Sequence, residues 1–314
     1  MGYDLLPWQR GQIADWSAVD ASGRWVHHRC GASVPRQAGK SVAGIVWAAV
    51  LSCLMGYKVL WTDHNYSTTC EMLERFRDIF GHHAGDQVRG IPSFNRRVTA
   101  TNSKTAQEWF KFRGGGVLAF STRTKSAALG FSFDVVFYDE AQELVGAQVQ
   151  AIMPTTTSGA KHNPQTVYLG TPTRAGSPAE VFQAVRSQAW EGGDAADDLC
   201  WLEYGVDEVG DVTDERRWYG ANPSLGAHAD VTAIRAASKT MGELAFAQEY
   251  LGYWLPKVAD AVLTRSEWDA CRIDAGAAPK EGGRVAYGVK FSADGSTVAL
   301  AAARAVEGLP THVE

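Results

Sequence analysis

Apolar runs broken by polar, glycine-bearing turns divide the first half of the chain into alternating short and long segments. Residues 25–34 predict a strand that enters the polar loop Arg36-Gln37-Ala38-Gly39-Lys40-Ser41. The Ala-, Val-, Leu- and Trp-rich run over 41–55 is too short to span a bilayer and predicts a buried helix. Residues 58–63 read as a strand, and 67–80 as an amphipathic helix capped by Ser67. Segments 108–112 and 117–121 flank Gly114-Gly115-Gly116 and predict a hairpin. Residues 134–139 form an apolar strand ending in acid, with a helix predicted from Glu140. A further strand at 166–170 precedes Thr171-Pro172-Thr173 and a helix near 178–188. Strands that are apolar throughout and alternate with helices predict an α/β fold with a mainly parallel sheet covered on both faces.

The pattern then changes. Residues 190–215 are acidic and loop-rich, 232–254 look helical and end in Tyr250, Tyr253 and Trp254, and 274–283 read as a linker. Two strands follow at 284–291 and 296–304, joined by a turn at Ala293-Asp294-Gly295. The division expected is a core at 1–190, a linker or subdomain at 191–273 and a short third piece at 274–314.

Composition adds little to this picture. With 45% apolar and 21% charged residues the chain belongs with ordered globular proteins, not disordered ones. The five cysteines are scattered without a CxxC pair, as reduced thiols would be, and no signal peptide opens the chain. A net charge of −5 excludes a globally basic nucleic-acid binder. Locally, Arg89, Arg96, Arg97, Lys104, Lys111, Arg113, Arg123 and Lys125 form a basic stretch that only Glu108 opposes. By composition this reads as a solvated face; it gains meaning only if other features bring a polyanion to the protein.

Those features are two half-motifs in order. A phosphate-binding loop ends in Gly-Lys-Ser/Thr, which stands at Gly39, Lys40 and Ser41, although Val34 occupies the first-glycine position. The loop lies where a strand should become a helix, so backbone N–H groups would converge on a phosphate. Lys40 would reach its terminal oxygens and Ser41 would ligate magnesium. Arg36 could contact phosphate oxygens bidentately, and Gln9 could meet adenine. The strand at 134–139 brings Asp139 to the ligand-binding edge of the sheet. Asp139 would hold magnesium and Glu140 would orient or deprotonate a water. Thr171 and Thr173, just past the next strand, would sense the γ-phosphate.

Together these residues resemble the large terminase subunit of tailed bacteriophages. The likeness rests on Pro7-Trp8-Gln9, Arg36-Gln37-Ala38-Gly39-Lys40-Ser41, Val136-Phe137-Tyr138-Asp139-Glu140-Ala141-Gln142, Leu169-Gly170-Thr171-Pro172 and Gln248-Glu249-Tyr250-Leu251-Gly252-Tyr253-Trp254. It implies a RecA-like P-loop ATPase using ATP and Mg2+, then a helical linker and the start of an RNase H-like nuclease. It also implies double-stranded DNA, a portal protein and a small terminase subunit as partners, a homo-oligomeric ring, no membrane, and action in the host cytoplasm. Two positions depart from the family. Leu129 stands where an arginine finger is often carried, leaving Arg123 and Lys125 as neighbouring candidates. Lys290 stands where the first metal-binding aspartate of the nuclease would fall, with Asp294 a poor substitute, and the chain ends at Glu314 before further carboxylates. Nuclease activity is therefore not expected.

Two other readings compete. Asp139-Glu140-Ala141-Gln142 suits a DEAD-box-like helicase, but 190–314 shows no second α/β alternation to complete one. A nucleotide-binding assembly protein without turnover is the other.

Overall fold

The computed structural model describes residues 4–105, 107–123, 132–157, 159–174, 177, 180–227, 229–255, 282–291, 298–306 and 312–313. It falls into two compact units, Met1–Pro256 and Lys257–Glu314.

In the first unit, α1 (Pro7–Trp16) precedes β1 (Arg29–Ser33), which leads through the polar loop into α2 (Lys40–Ala49). Next come β2 (Lys58–Asp63), α3 (Tyr66–Phe80), α4 (Pro92–Asn95), β3 (Val98–Asn102), β4 (Trp109–Phe112) and β5 (Val117–Thr122). Then follow β6 (Val135–Tyr138), α5 (Gly146–Thr157), β7 (Gln165–Gly170), α6 (Val181–Glu191) and β8 (Leu199–Glu203). Three helices close the unit: α7 (Glu215–Ala221), α8 (Val231–Thr240) and α9 (Glu243–Tyr250). The eight strands form one sheet in the order β3-β4-β5-β2-β6-β7-β1-β8. Its pairings are parallel except for β3–β4 and β4–β5. This is the mainly parallel α/β architecture that the hydrophobic pattern predicts.

Both faces of the sheet are covered because its strands are apolar on both sides. On β2, Val59 and Trp61 join a core with Trp16, Ala43, Phe76 and Phe137, while Leu60 joins a second with Val136, Ile152 and Phe182. Trp61 stacks on Phe137 with centroids 5.1 Å apart and meets the edge of Phe76 at 5.5 Å. A third cluster, with Trp218, Ile234 and Phe246, holds α7 to α9 together. Two glycines set the helix positions. A Cβ on Gly44 of α2 would lie 2.6 Å from Leu169 Cδ1 and 3.0 Å from Trp61, so its absence lets α2 settle onto β7 and β2. A Cβ on Gly116 would lie 1.9 Å from the Ser52 carbonyl, so the turn before β5 also needs glycine.

Several local expectations are corrected. The helix expected over 41–55 is α up to Ala49 and then a π-helical turn, Val50–Leu54. Asn65, not Ser67, caps α3: its carboxamide oxygen accepts from Thr68 N at 2.9 Å. No helix starts at Glu140, whose φ of 50° is left-handed; a 3-10 turn, Ala141–Glu143, comes first, and α5 begins only at Gly146. Within the acidic stretch, Leu199–Glu203 is a strand parallel to β1, so the sheet runs past residue 190. Edge strand β3 also has no counterpart among the predicted elements.

In the second unit, β9 (Arg284–Phe291) pairs antiparallel with β10 (Val298–Ala305), which pairs with β11 (His312–Val313). Lys290 lies opposite Ala299, whereas Asp294 falls outside the described residues.

The aromatic stack on β2 should dominate the stability of the first unit. Phe76→Ala, at a fully buried ring, is expected to cost about 3–5 kcal/mol. Leu54→Ala, on a side chain 47% exposed, should cost under about 1 kcal/mol. Denaturant titration of the two variants checks the contrast.

Candidate nucleotide-binding site

The loop between β1 and α2 is built from its carbonyls outward. Val34 is buried and continues the strand, its N–H donating to Gly170 O at 3.1 Å. The chain then turns through positive φ at Gln37 (61°) and Gly39 (85°). Carbonyls of the loop are taken up by other elements. Gln9 Nε2 on α1 donates to Gly39 O at 3.0 Å, Ser224 Oγ to Ala38 O at 2.6 Å, and Asn222 Nδ2 to Arg36 O at 3.5 Å. Trp8 Nε1 in turn holds Ser224 Oγ at 3.0 Å. A Cβ at Gly39 would lie 2.9 Å from Gln9 Nε2, so glycine is needed there for space as well as for φ. Ala38 is buried and Gln37 exposed. In the first turn of α2, Val42 N donates back to Gly39 O at 3.1 Å, while N–H groups at a helix start in general lack an acceptor one turn back.

Two contacts join this loop to the end of β6. Lys40 Nζ, on a nearly buried side chain, lies 3.5 Å from Glu140 Oε1, and Ser41 Oγ donates to Asp139 Oδ2 at 3.0 Å. Glu140 N donates to Asp139 Oδ1 at 3.0 Å, and Gln142 Nε2 donates to Glu140 Oε2. The Gln142 carboxamide oxygen then accepts from Thr171 N at 3.2 Å. Lys40, Ser41, Asp139, Glu140 and Thr171 thus form one contact chain, completed by Gln142. Thr173 is buried beside it, its carbonyl accepting from Gln248 Nε2 at 3.1 Å.

Arg36 turns toward α9. Its Nε donates to the Glu249 carboxylate and its N–H to the Glu249 carbonyl at 2.8 Å. Arg174 donates to the same carboxylate at 2.9 and 2.6 Å. Gln9 is buried, its oxygen accepting from Leu6 N at 2.9 Å, so its amide braces the loop here. Arg123 points inward: Nη1 donates to Asp139 O at 2.6 Å and Nη2 to Glu140 O at 3.0 Å. Lys125 and Leu129 lie outside the described residues.

Electrostatics separates the two acids. Burial raises the Asp139 carboxyl, and Glu140 adds to the rise, against Lys40 and Ser41. Burial also acts on Glu140, but Lys40, Gln142 and Arg36 together outweigh it and hold that carboxyl below the usual range. A hard hydroxyl and a buried carboxylate lacking a full counter-charge fit a divalent cation.

Gln142, Asn222, Ser224, Glu249, Arg123 and Arg174 are polar partners to which sequence reasoning assigned no such contacts. Gln142 and Glu249 lie inside the motif segments and were legible there; Asn222 and Ser224 carry no local signal.

Asp63, at the end of β2, is fully buried, and among the described residues neither carboxylate oxygen has a hydrogen-bond partner. Burial, then Asp139, push its pKa up to about 8, while Arg123 opposes. An unfolded aspartate releases its proton near about 3.9. Between those values the folded state holds a proton that the unfolded chain has lost. Stability therefore falls as pH rises through the window and levels off above it. Asp63→Asn removes this titration. In EDTA and without nucleotide, its thermal midpoint should gain on the wild type between about pH 5 and about pH 8. A constant difference over that range would show that the folded chain holds no such proton.

The family model for the large terminase subunit, T4likevirus-type, N-terminal, matches residues 32–188, half of the 314-residue chain. Three solved structures share the fold. The large terminase of bacteriophage HK97 matches with a TM-score of 0.67 at 16% identity, over 99% of this chain and 63% of that one. The large terminase of a thermophilic bacteriophage, in complex with ADP, matches at 0.52 and 10% identity, over 99% and 68%. The ATPase domain of the Thermus phage P74-26 large terminase matches at 0.51 and 15% identity, over 79% and 93%. This chain thus spans less than two thirds of the HK97 protein's length. No curated protein matches it. The loop and acid pair, the parallel sheet that carries them and the family match agree: the chain belongs to the large terminase subunit family, through its T4likevirus-type N-terminal domain.

Proposed function

We propose that the chain is the ATP-hydrolysing motor subunit of a phage DNA-packaging terminase, moving double-stranded DNA into a prohead. The observation that carries this reading is the closure of Lys40 on Glu140 and of Ser41 on Asp139 at one end of the sheet.

In this reading the loop from Arg36 to Ser41, with Gln37, Ala38 and Gly39, cradles the phosphates through N–H groups other than those of Arg36 and Ala38, which are bonded to Glu249 O and Pro35 O. Lys40 and Arg36 supply positive charge to their oxygens. Gln9 fixes the loop by its bond to Gly39, and adenine would meet the face of the loop that Gln9 braces. Ser41 and Asp139 would hold Mg2+, which when bound offsets charge on the phosphate oxygens. Glu140, kept ionised beside Lys40, accepts a proton from the attacking water or orients it. Thr171 reports on the state of Glu140 through Gln142, and Thr173 passes the change toward α9.

The DNA-facing surface is narrower than composition suggests. Arg89 already pairs with Glu74 and Asp78, and Arg123 is buried. Arg96, Arg97, Lys104, Lys111 and Arg113 are exposed, with Lys111 lying 4.6 Å over the Trp109 ring. The portal protein and small terminase subunit are the protein partners in this reading, other copies of the chain complete a ring, and the site of action is the host cytoplasm. Among the described residues no helix is long and apolar enough to cross a membrane. Lys290 on β9 puts a cation where a nuclease would need a metal-binding acid, so cutting is not assigned to this chain.

Phosphate release tests the chemistry. Glu140→Ala should lose about 10²-fold or more in turnover while still binding nucleotide, the scale usual for a positioned base. Lys40→Ala should lose nucleotide binding as well. Unchanged turnover in Glu140→Ala would remove that residue from its role. Duplex binding tests the surface. Log affinity should fall linearly with log salt, with a slope near about −0.9 per neutralised phosphate. Replacing Arg96, Arg97 and Arg113 together by alanine should flatten that slope by about 2 to 3 units if each meets a phosphate. Affinity insensitive to salt in the wild type would place the DNA elsewhere.

A further inference from the structure

We propose that Arg123 is a positioning residue for Glu140, acting within its own subunit, and not a finger offered to a neighbour; the proposal rests on the ATPase reading above. The argument begins with the peptide planes. The carbonyl of Asp139 lies in the plane that precedes the Glu140 Cα, and the carbonyl of Glu140 lies in the plane that follows it. Arg123 holds both, Nη1 at 2.6 Å from the first oxygen and Nη2 at 3.0 Å from the second. Fixing the two planes fixes φ and ψ of Glu140, and with them the direction of its Cα–Cβ bond.

That turn needs an external hold. Glu140 has φ 50° and is not glycine, a conformation that persists only where its surroundings impose it. The 3-10 turn that follows is too short to impose it. Arg123 is itself immobilised at both ends of its main chain. Its N–H donates to Asp63 O at 3.0 Å and its carbonyl accepts from Gln148 Nε2 at 3.0 Å. The residue is 3% exposed, so reaching another subunit would break both guanidinium bonds and bring the charged group out of the core. A planar fork is what the task requires: a lysine at 123 would offer one compact charge and could not span two carbonyls with the same geometry.

The nucleotide loop hangs on different elements, from α1, α2, α9 and the segment after α7. Losing Arg123 should therefore release Glu140 and leave the loop in place. In steady-state assays Arg123→Ala should lower kcat by about 10- to 100-fold with KM for ATP within about threefold, since misplacing a catalytic group by about 1 Å costs on that order. Arg123→Lys should fall between it and the wild type. In the Glu140→Ala background, Arg123→Ala should add little, because the two changes remove the same contribution. Mixing Arg123→Ala with Glu140→Ala subunits separates the roles directly. A residue acting within its own subunit gives no recovery, whereas a finger acting between subunits restores activity and overturns the proposal. Wild-type kcat in Arg123→Ala also overturns it, as does an equal loss of kcat, nucleotide affinity and thermal midpoint in both Arg123 variants. Amide hydrogen exchange provides a readout without turnover. Residues 139–143 should exchange faster in Arg123→Ala, or in Arg123→Lys if the alanine variant does not fold, with β2 unchanged. If the wild type shows no Lys40-dependent phosphate release, the ATPase reading fails. Exchange still decides whether Arg123 holds the turn, and unaltered exchange at 139–143 rejects it.

Discussion

Two adjacent carboxylates just past the end of β6, Asp139 buried and Glu140 half-buried, are the constraint around which the first unit is arranged. Asp139 and Glu140 stand in low dielectric, where an uncompensated charge is costly and two like charges are worse. Their surroundings are unequal. Lys40, Gln142 and Arg36 hold the Glu140 carboxyl below its usual range, while the Lys40 and Arg123 charges, its neighbour's N–H and the Ser41 hydroxyl leave the Asp139 carboxyl still raised by its complete burial. That inequality is what the proposed roles require, Glu140 to accept a proton and Asp139 to accept a cation. The packing that permits this is remote from the charges. Without a Cβ at Gly44, α2 lies close enough to β7 and β2 for its first turn to reach the end of β6, across the intervening β7.

The loop shows why its sequence departs from the usual phosphate-loop pattern. A first glycine would serve a tight turn, but Val34 makes none: it is buried and extends β1 by one more bond, to Gly170. Positive φ is needed only later, at Gln37 and Gly39. Rigidity then comes from outside the loop, because bonds from Gln9, Ser224 and Asn222 engage three of its carbonyls. Engaged carbonyls cannot turn inward. Arg36 N and Ala38 N are also engaged, by Glu249 O and Pro35 O, so the N–H groups left for an anion are those nearer the start of α2. That is the preorganisation an anion requires.

The sheet and the paired half-motifs were legible because burial on both faces forces continuous apolar strands, and because Lys40, Ser41, Asp139 and Glu140 all lie at junctions where a strand ends. What stayed hidden has physical reasons. β8 is an edge strand paired only with β1, five residues long, and its flanks at Asp197, Asp198, Asp207 and Glu208 read as loop. β3 is an edge strand too, its alternation blurred by a register shift between Val98 and Ala100. The cap of α3 moved by two residues because Asn65 reaches Thr68 N, an N-cap geometry that either Asn65 or Ser67 could satisfy by residue type. Arg123 read as one cation among eight in a basic stretch and, with Lys125, as a candidate finger toward a neighbouring subunit. Nothing in its neighbours marks it as the one facing inward, since that follows from the pairing of β5 with β2, which the sequence does not specify.

The helices after β8 are part of the site and not an appendage to it. Asn222 and Ser224 hold the loop from the segment following α7. Gln248 and Glu249, at the end of α9, hold Thr173, Arg36 and Arg174. These contacts join distant parts of the chain, and several of them are shielded from water, where a broken hydrogen bond leaves a desolvated group without a partner. A chain ending near residue 190 would lose β8 from beside β1 and three of the side chains that set the loop, Asn222, Ser224 and Glu249. The candidate nucleotide site is therefore a property of the whole first unit: the sheet sets the spacing of Lys40 and Asp139, and the distal helices help to set the loop that leads to Lys40.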